Sequence, residues 1–187
     1  MSNNIIEQIQ KALNYPELQK VDPNVQEIKD RPQLSKEEKL AQAAIPAVLA
    51  ALYRYTDTDQ GSEAILSSRI DGNLINNIFQ DKQKTAVEKV AQYAGVSPDL
   101  AGREMERVAQ EAARSIREAV KDKPSVDKVK EYMSSQRHNI LVHLPAAMQL
   151  GDLLNDNSMD DRTNKMEGPI SNLMHKIENS MSKNDKE

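Results

Sequence analysis

The stretch that most constrains the fold is a short corner from Val90 to Leu100, where one helical pattern ends and another begins. Gly95 follows an apolar helical face at the position where helices commonly end with a left-handed backbone. Ser97 can then cap the next helix, and Pro98 suits its first position. The pattern predicts helices over residues 81–95 and 98–121 that pack against each other as a helix-turn-helix-like hairpin. Four of their side chains are expected in the core: Val90, Ala94, Met105 and Val108.

Apolar residues at helical spacing predict further helices along the chain, while no segment shows the alternation of a half-buried strand. We therefore expect an all-α fold, a compact multi-helix array with a C-terminal appendage helix. The additional helices are predicted near residues 3–13, 23–31, 36–55, 62–69, 74–79, 126–143 and 169–182.

The helix beginning after Ser35 carries the strongest local signals. Ser35 and Glu38 form the sequence pattern of a capping box. The segment 43–52 is apolar nearly all round, which is typical of a buried helix. Pro46 removes one backbone donor, so we expect it to kink this helix or split it into two segments. Asp57 to Gly61 is expected to form a turn.

Shifts in composition suggest three parts of the chain. Residues 1–34 are predicted to be short helices and a proline-rich linker, and residues 35–145 the helical core domain. Residues 146–187 begin with a polar loop and end in an amphipathic tail helix.

Composition narrows the function further. The chain has no cysteine, which excludes disulfides, thiolate catalysis and cysteine-bound zinc. Its net charge of −4 argues against a strongly basic nucleic-acid or membrane binder. No signal peptide is expected, and no segment approaches the ~20 apolar residues of a membrane span, so we expect a cytoplasmic protein without a membrane partner.

Three segments between residues 45 and 120 resemble the bacterial YidB-like family, a domain of unknown function. They are Ile45–Leu49, the run Gly72–Phe79 with the residues 81–83 after it, and the corner around Gly95. This chain departs from the family pattern in having few glycines between helices and a long charged helix after Gly102. The resemblance implies a compact helical array and assigns no activity.

The same corner also resembles the helix-turn-helix of lactose-repressor-type regulators, whose second helix enters the major groove of DNA. Arg103 would then contact a base or a phosphate. Asp99 and Glu104 oppose this interpretation, and residues 81–121 hold eight Lys and Arg against seven Asp and Glu. A DNA-binding regulator is therefore the alternative function, and the charge pattern does not favour nucleic acid as a partner.

Signals for metals are weak. His138 and His143 are five residues apart, which is not one helical face, and His175 lies in the tail. An acidic segment near the C-terminus resembles a calcium loop, but Asp161 stands where that loop needs glycine. Its candidate ligands are Asp156, Ser158, Asp160, Asn164 and Glu167.

Catalytic motifs are missing from the sequence. It has no phosphate-binding loop, dinucleotide fingerprint or nucleophile elbow, so we expect neither an enzyme nor a bound cofactor. The most favoured function is a non-catalytic helical module for protein–protein interaction, with a protein partner or a second copy of the chain. The tail helix supplies the predicted partner-binding stripe, because methionine-rich faces adapt to varied surfaces. Its residues are Ile170, Leu173, Met174, Ile177 and Met181.

Overall fold

The computed structural model describes residues 4–21, 34–67, 73–145 and Met148. The regular elements of this part are seven α-helices and one short 3₁₀ helix, which confirms the all-α class. They are α1 (Ile5–Leu13), α2 (Lys36–Asp57), α3 (Asp59–Leu66), α4 (Leu74–Phe79), a 3₁₀ turn (Gln80–Lys82), α5 (Gln83–Ala94), α6 (Pro98–Ala119) and α7 (Val126–His143). The helix predicted near residues 23–31 and the tail helix lie outside the described residues.

Helix α2 is the centre of the fold. Every residue from Leu40 to Leu52 is buried, and α2 contacts all six other α-helices of the described part. The apolar segment 43–52 is buried on every side, so the prediction of a buried helix is confirmed. The helix continues through Pro46, and the alternative in which this proline splits it into two segments is wrong.

The predicted capping box opens α2. The Glu38 amide donates to the Ser35 hydroxyl over 3.2 Å, and the Ser35 amide donates to the Glu38 carboxylate over 2.7 Å. These bonds satisfy two donors that a helix start leaves free. They also lower the pKa of the Glu38 carboxyl, chiefly through the backbone bond from Ser35.

The corner between α5 and α6 forms as predicted. Gly95 adopts a left-handed backbone with φ of 66°, and the Ser97 hydroxyl accepts from the Leu100 amide over 3.3 Å. The four side chains expected in the core are at most 1% exposed. Helix α5 begins at Gln83 rather than residue 81, because residues 80–82 form the tighter 3₁₀ turn.

Helix α1 belongs to the same hydrophobic core. Ile5, Ile6 and Ile9 are buried, and α1 contacts α2, α6 and α7. Its first amide, that of Ile5, donates to the buried Gln136 side chain of α7 over 3.1 Å. The division of the chain into three parts stays a prediction.

The turn between α2 and α3 is shorter than expected. The predicted five-residue turn contracts to Thr58 alone, and α3 begins at Asp59 rather than residue 62. The Thr58 hydroxyl accepts from the Gly61 amide over 3.0 Å, which provides a helix cap that the spacing of apolar residues does not reveal.

Candidate functional site

The predicted partner-binding stripe lies outside the described residues. The same holds for the acidic segment proposed as a calcium loop and for His175. The partner-binding stripe and the calcium loop therefore both stay predictions. Within its described part, no group of three or more His, Cys, Asp or Glu side chains could hold a metal ion. That part also contains no helix of the length and apolar character needed to cross a membrane.

Arg103 lies on the exposed face of α6, where the DNA-binding hypothesis needs it. The next two arginines along this face are each ion-paired with a glutamate one turn away. Arg107 contacts Glu104 and Arg114 contacts Glu111, both over 2.7 Å. Positive charge on this face is therefore largely neutralised, apart from Arg103.

Other charged side chains of α6 bind neighbouring elements instead of a ligand. The Glu106 carboxylate accepts from the Leu74 and Ile75 amides over 2.9 Å each, and so caps α4. The Arg117 guanidinium donates to the Ile65 carbonyl in the last turn of α3 over 3.2 Å. These contacts give the long charged helix a structural role as a clamp between elements.

Glu104 also holds the segment after α1. Its carboxylate accepts a hydrogen bond from the Tyr15 hydroxyl. Partial burial and this bond raise the pKa of the Tyr15 phenol above its usual value. The residue that weakened the DNA-binding hypothesis thus has a packing role, because it ties the N-terminal segment to α6.

The two histidines of α7 have different environments. His138 is exposed, whereas His143 is buried and its Nδ1 lies 2.7 Å from the Asn139 carbonyl oxygen. Since a carbonyl can only accept, Nδ1 of His143 carries a proton. This ring lines a polar cleft of about 450 Å³ beside α1.

A cleft of about 940 Å³ lies between the end of α2, the start of α3 and the α4–3₁₀ segment. We call it the carboxamide cleft, after the four amide side chains that line it. The first comes from α3, two from α4 and the last from the 3₁₀ turn: Gln60, Asn76, Asn77 and Gln80. The remaining lining residues are Arg54, Tyr55, Thr58, Gly61, Ile78, Phe79, Asp81 and Lys82.

Gly61 allows the wall formed by α2 and α3 to close tightly. A Cβ atom at this position would lie 1.9 Å from the Tyr55 carbonyl oxygen, so only glycine fits without a backbone shift. The next residue is buried, and the Ser62 hydroxyl donates to the Thr56 carbonyl over 2.6 Å. Gly61 and the hydroxyls of Thr58 and Ser62 therefore set the angle at which α3 leaves α2.

The opposite wall is fixed by the apolar side of α4. Ile78 and Phe79 are buried in the core, which turns the exposed Asn76 and Asn77 away from it. Phe79 is 2% exposed, so its ring forms part of the floor and presents almost no face to the cleft.

Five polar side chains of the cleft are free to bind a ligand. None of the four carboxamide side chains forms a hydrogen bond with a described residue, and Arg54 forms no ion pair there. Lys82 lies 3.4 Å from Asp81, the single carboxylate among the described lining residues. Each carboxamide offers one acceptor and two donor hydrogens. The cleft can therefore exchange many hydrogen bonds with a ligand but carries little net charge.

Sequence patterns missed this cleft. The Asn76–Asn77 pair stood among the residues that carry the family resemblance, but nothing in its spacing joins it to Arg54 or Gln60. The one sequence signal for the cleft was the pair of amide side chains, Asn76 and Asn77, on the polar side of the short amphipathic helix α4. Its partners lie on two other elements and emerge only with the fold.

Comparison with protein-family models, curated proteins and solved structures gives no match for this chain. The resemblance to the YidB-like family stays a prediction.

Proposed function

We propose that the chain is a non-catalytic protein-interaction module of the cytoplasm, and that the carboxamide cleft receives an extended segment of a partner protein. The observation that carries this proposal is the set of four unpartnered carboxamides around one cleft. A peptide main chain presents one donor and one acceptor per residue, and carboxamides complement both. Recognition of extended peptides commonly takes its affinity from such main-chain bonds.

The lining favours binding over catalysis. General acid–base chemistry uses a positioned proton donor or acceptor, often a pair of carboxylates or a histidine. The described lining residues include one carboxylate, Asp81, which is already ion-paired with Lys82. Small-molecule pockets are lined mostly by apolar side chains, whereas this cleft is lined mostly by polar ones.

Selection from a displayed library of random peptides tests the proposal. The protein should enrich peptides whose binding is lost in Asn77→Arg, because the longer charged side chain fills the cleft. Asn73→Arg is the matched control, since Asn73 is equally exposed at the other end of α4 and does not line the cleft. Enrichment of the same peptides by Asn77→Arg would place binding elsewhere and reject the proposal.

The tail stripe is a second proposed surface of the same module. Its amphipathic pattern, headed by Ile170 and Leu173, suits a partner helix or a second copy of the chain. DNA binding receives less support, because the arginines that follow Arg103 on α6 are paired with glutamates.

A further inference from the structure

Gln80 has an unusual backbone. With φ of 52° and ψ of −128°, it lies in a region that residues with a side chain rarely adopt. One other non-glycine residue of the described chain has a positive φ, Asn14, which ends α1. Asn14 occupies the ordinary left-handed region, which asparagine tolerates well. The backbone of Gln80 lies outside that region.

The surrounding structure holds Gln80 in this conformation. Its amide donates to the Asn76 carbonyl at the end of α4, and its carbonyl accepts from the Gln83 amide at the start of α5. The two residues before it, Ile78 and Phe79, are anchored in the core. Glycine would adopt the same backbone without strain. Strain of this kind persists where the neighbours over-determine the conformation, and it is frequent at ligand-binding sites.

We infer that Gln80 is a peptide-binding residue of the carboxamide cleft, and that it recognises a main-chain peptide unit in an uncharged, extended stretch of the partner. This inference rests on the proposed function. The Gln80 carboxamide can donate to the peptide carbonyl and accept from the peptide N–H at the same time. Gln80 is exposed and lines the same cleft as Gln60 and Arg54, so its carboxamide is accessible to a ligand there.

Two features favour a peptide over other polar ligands. Lys82 is paired with Asp81, so Arg54 is the single uncompensated charge of the described lining and an ionic ligand finds only one countercharge there. Sugar-binding sites commonly stack a ring on an exposed aromatic face, whereas in this lining Phe79 is buried and Tyr55 packs half-buried against the core. A peptide needs neither feature, because alternating donors and acceptors are sufficient for its main chain.

The test uses defined probes and four variants of the full chain. The first probe is a mixture of acetylated, amidated hexapeptides without charged residues, and the second is maltohexaose. Binding is followed through the backbone amide resonances of the cleft and through the thermal midpoint of each variant. We expect the peptide mixture, and not the sugar, to shift the resonances of Gly61 and Asn77 in the unmodified chain.

Two substitutions of Gln80 separate the effect of its backbone strain on stability from the effect of its side chain on peptide binding. Gln80→Gly should raise the thermal midpoint by several degrees and weaken peptide binding about tenfold, since it relieves strain and removes the carboxamide. Gln80→Ala should weaken binding equally without raising the midpoint, because the strain remains. Asn14→Gly is the matched control at the other positive φ and should leave binding unchanged.

The outcomes separate this inference from the proposed function. If Gln80→Gly and Gln80→Ala bind the peptides as the unmodified chain does while Asn77→Ala loses them, the role of Gln80 is rejected and the peptide cleft stands. If peptide binding survives in Asn77→Ala as well, or maltohexaose alone shifts the cleft resonances, both proposals are rejected.

Discussion

Two glycines beside short turns are required for opposite physical reasons. Gly95 has a left-handed backbone but open space around it, since a Cβ there would meet no atom within 4 Å. Gly61 has an ordinary helical backbone, but its Cβ would collide with the Tyr55 carbonyl. Gly95 is therefore required by its backbone conformation, and Gly61 by the lack of space for a side chain.

We therefore expect graded losses of stability at these glycines. Gly95→Ala should lower the free energy of unfolding by about 1 kcal/mol and Gly95→Val by somewhat more, because a β-branched residue tolerates a positive φ poorly. Gly61→Ala should lower the free energy of unfolding by an amount at the upper end of the ~1–3 kcal/mol typical of overpacking, because the backbone must move. Urea unfolding measures all three. A Gly61→Ala variant as stable as Gly95→Ala would contradict the tight contact with Tyr55.

Two tyrosines form a second matched pair. The Tyr15 hydroxyl donates to Glu104, whereas the buried Tyr132 hydroxyl has no partner among the described residues. Tyr15→Phe should lower the free energy of unfolding by about 1.5–3 kcal/mol, the range for hydrogen bonds to charged groups. Tyr132→Phe should be neutral or stabilising within ~1 kcal/mol, because it removes an unsatisfied polar atom. Equal losses in both variants would show that Tyr132 has a partner.

Alkaline pH provides a check on the same tyrosines. The pKa of Tyr15 is raised above its ordinary 10.0, and burial raises the pKa of Tyr132 to about 12. An acid whose pKa is higher in the folded state contributes stability that is complete below its unfolded pKa. Stability should therefore fall as the pH rises above ~10, and Tyr15→Phe should show a shallower fall.

At the scale of elements, α6 illustrates what sequence patterns reveal. Its start and its cap follow from signals within a few residues of Gly95, and both were predicted together with the burial of Met105 and Val108. The one contact predicted for its charged side chains was that of Arg103 with DNA. Glu106 instead caps a helix 32 residues earlier in the chain, and Arg117 reaches a carbonyl 52 residues away.

The carboxamide cleft could not be predicted from the sequence, because it too depends on contacts between residues that are far apart in the chain. It joins Arg54 on α2 with Asn77 on α4 and Gln80 on the 3₁₀ turn, and no local spacing relates these positions. The backbone of Gln80 had no sequence signal, because a positive φ is expected at glycine or asparagine rather than glutamine. Local capping rules therefore predicted the helices, while the site depends on contacts between them.

Helix α6 should not bind duplex DNA appreciably at physiological salt. The phosphate contacts that supply most non-specific affinity need unpaired basic groups, and Arg107 and Arg114 are ion-paired. Fluorescence anisotropy with a labelled duplex measures this directly. Sub-micromolar, salt-sensitive binding that disappears in Arg103→Ala but persists in Lys84→Ala would support the DNA-binding regulator instead. Lys84 is a suitable control because it is a largely exposed cation of α5, with Glu88 no closer than 4.0 Å.

At the scale of the whole molecule, the hydrophobic core includes a side chain that follows α7 in the chain. Met148 is 1% exposed, and its amide donates to the Pro145 carbonyl over 3.0 Å. Removing residues 149–187 should therefore leave the helical core folded, with a thermal midpoint lowered by only a few degrees. Removing residues 147–187 should lower it further, since burying a methionine stabilises by about 1.5–3 kcal/mol.

Sedimentation of the shorter truncation tests the predicted tail stripe. If Leu173, Met174 and Ile177 form a self-association surface, the chain without residues 149–187 should sediment as a smaller species than the intact chain. Unchanged sedimentation would reject self-association through this stripe, and unfolding of the truncated chain would show that the tail belongs to the core.

The most direct test of the central claim locates a bound peptide on the surface. A peptide selected by the unmodified protein is labelled with a nitroxide, and the distance-dependent broadening of backbone amide resonances is measured. The account predicts the strongest broadening at Gly61, Asn77 and Gln80 around the carboxamide cleft, with His138 on the exposed face of α7 unaffected. Broadening centred on α7 or on the exposed arginines of α6, with the cleft resonances unchanged, would contradict it.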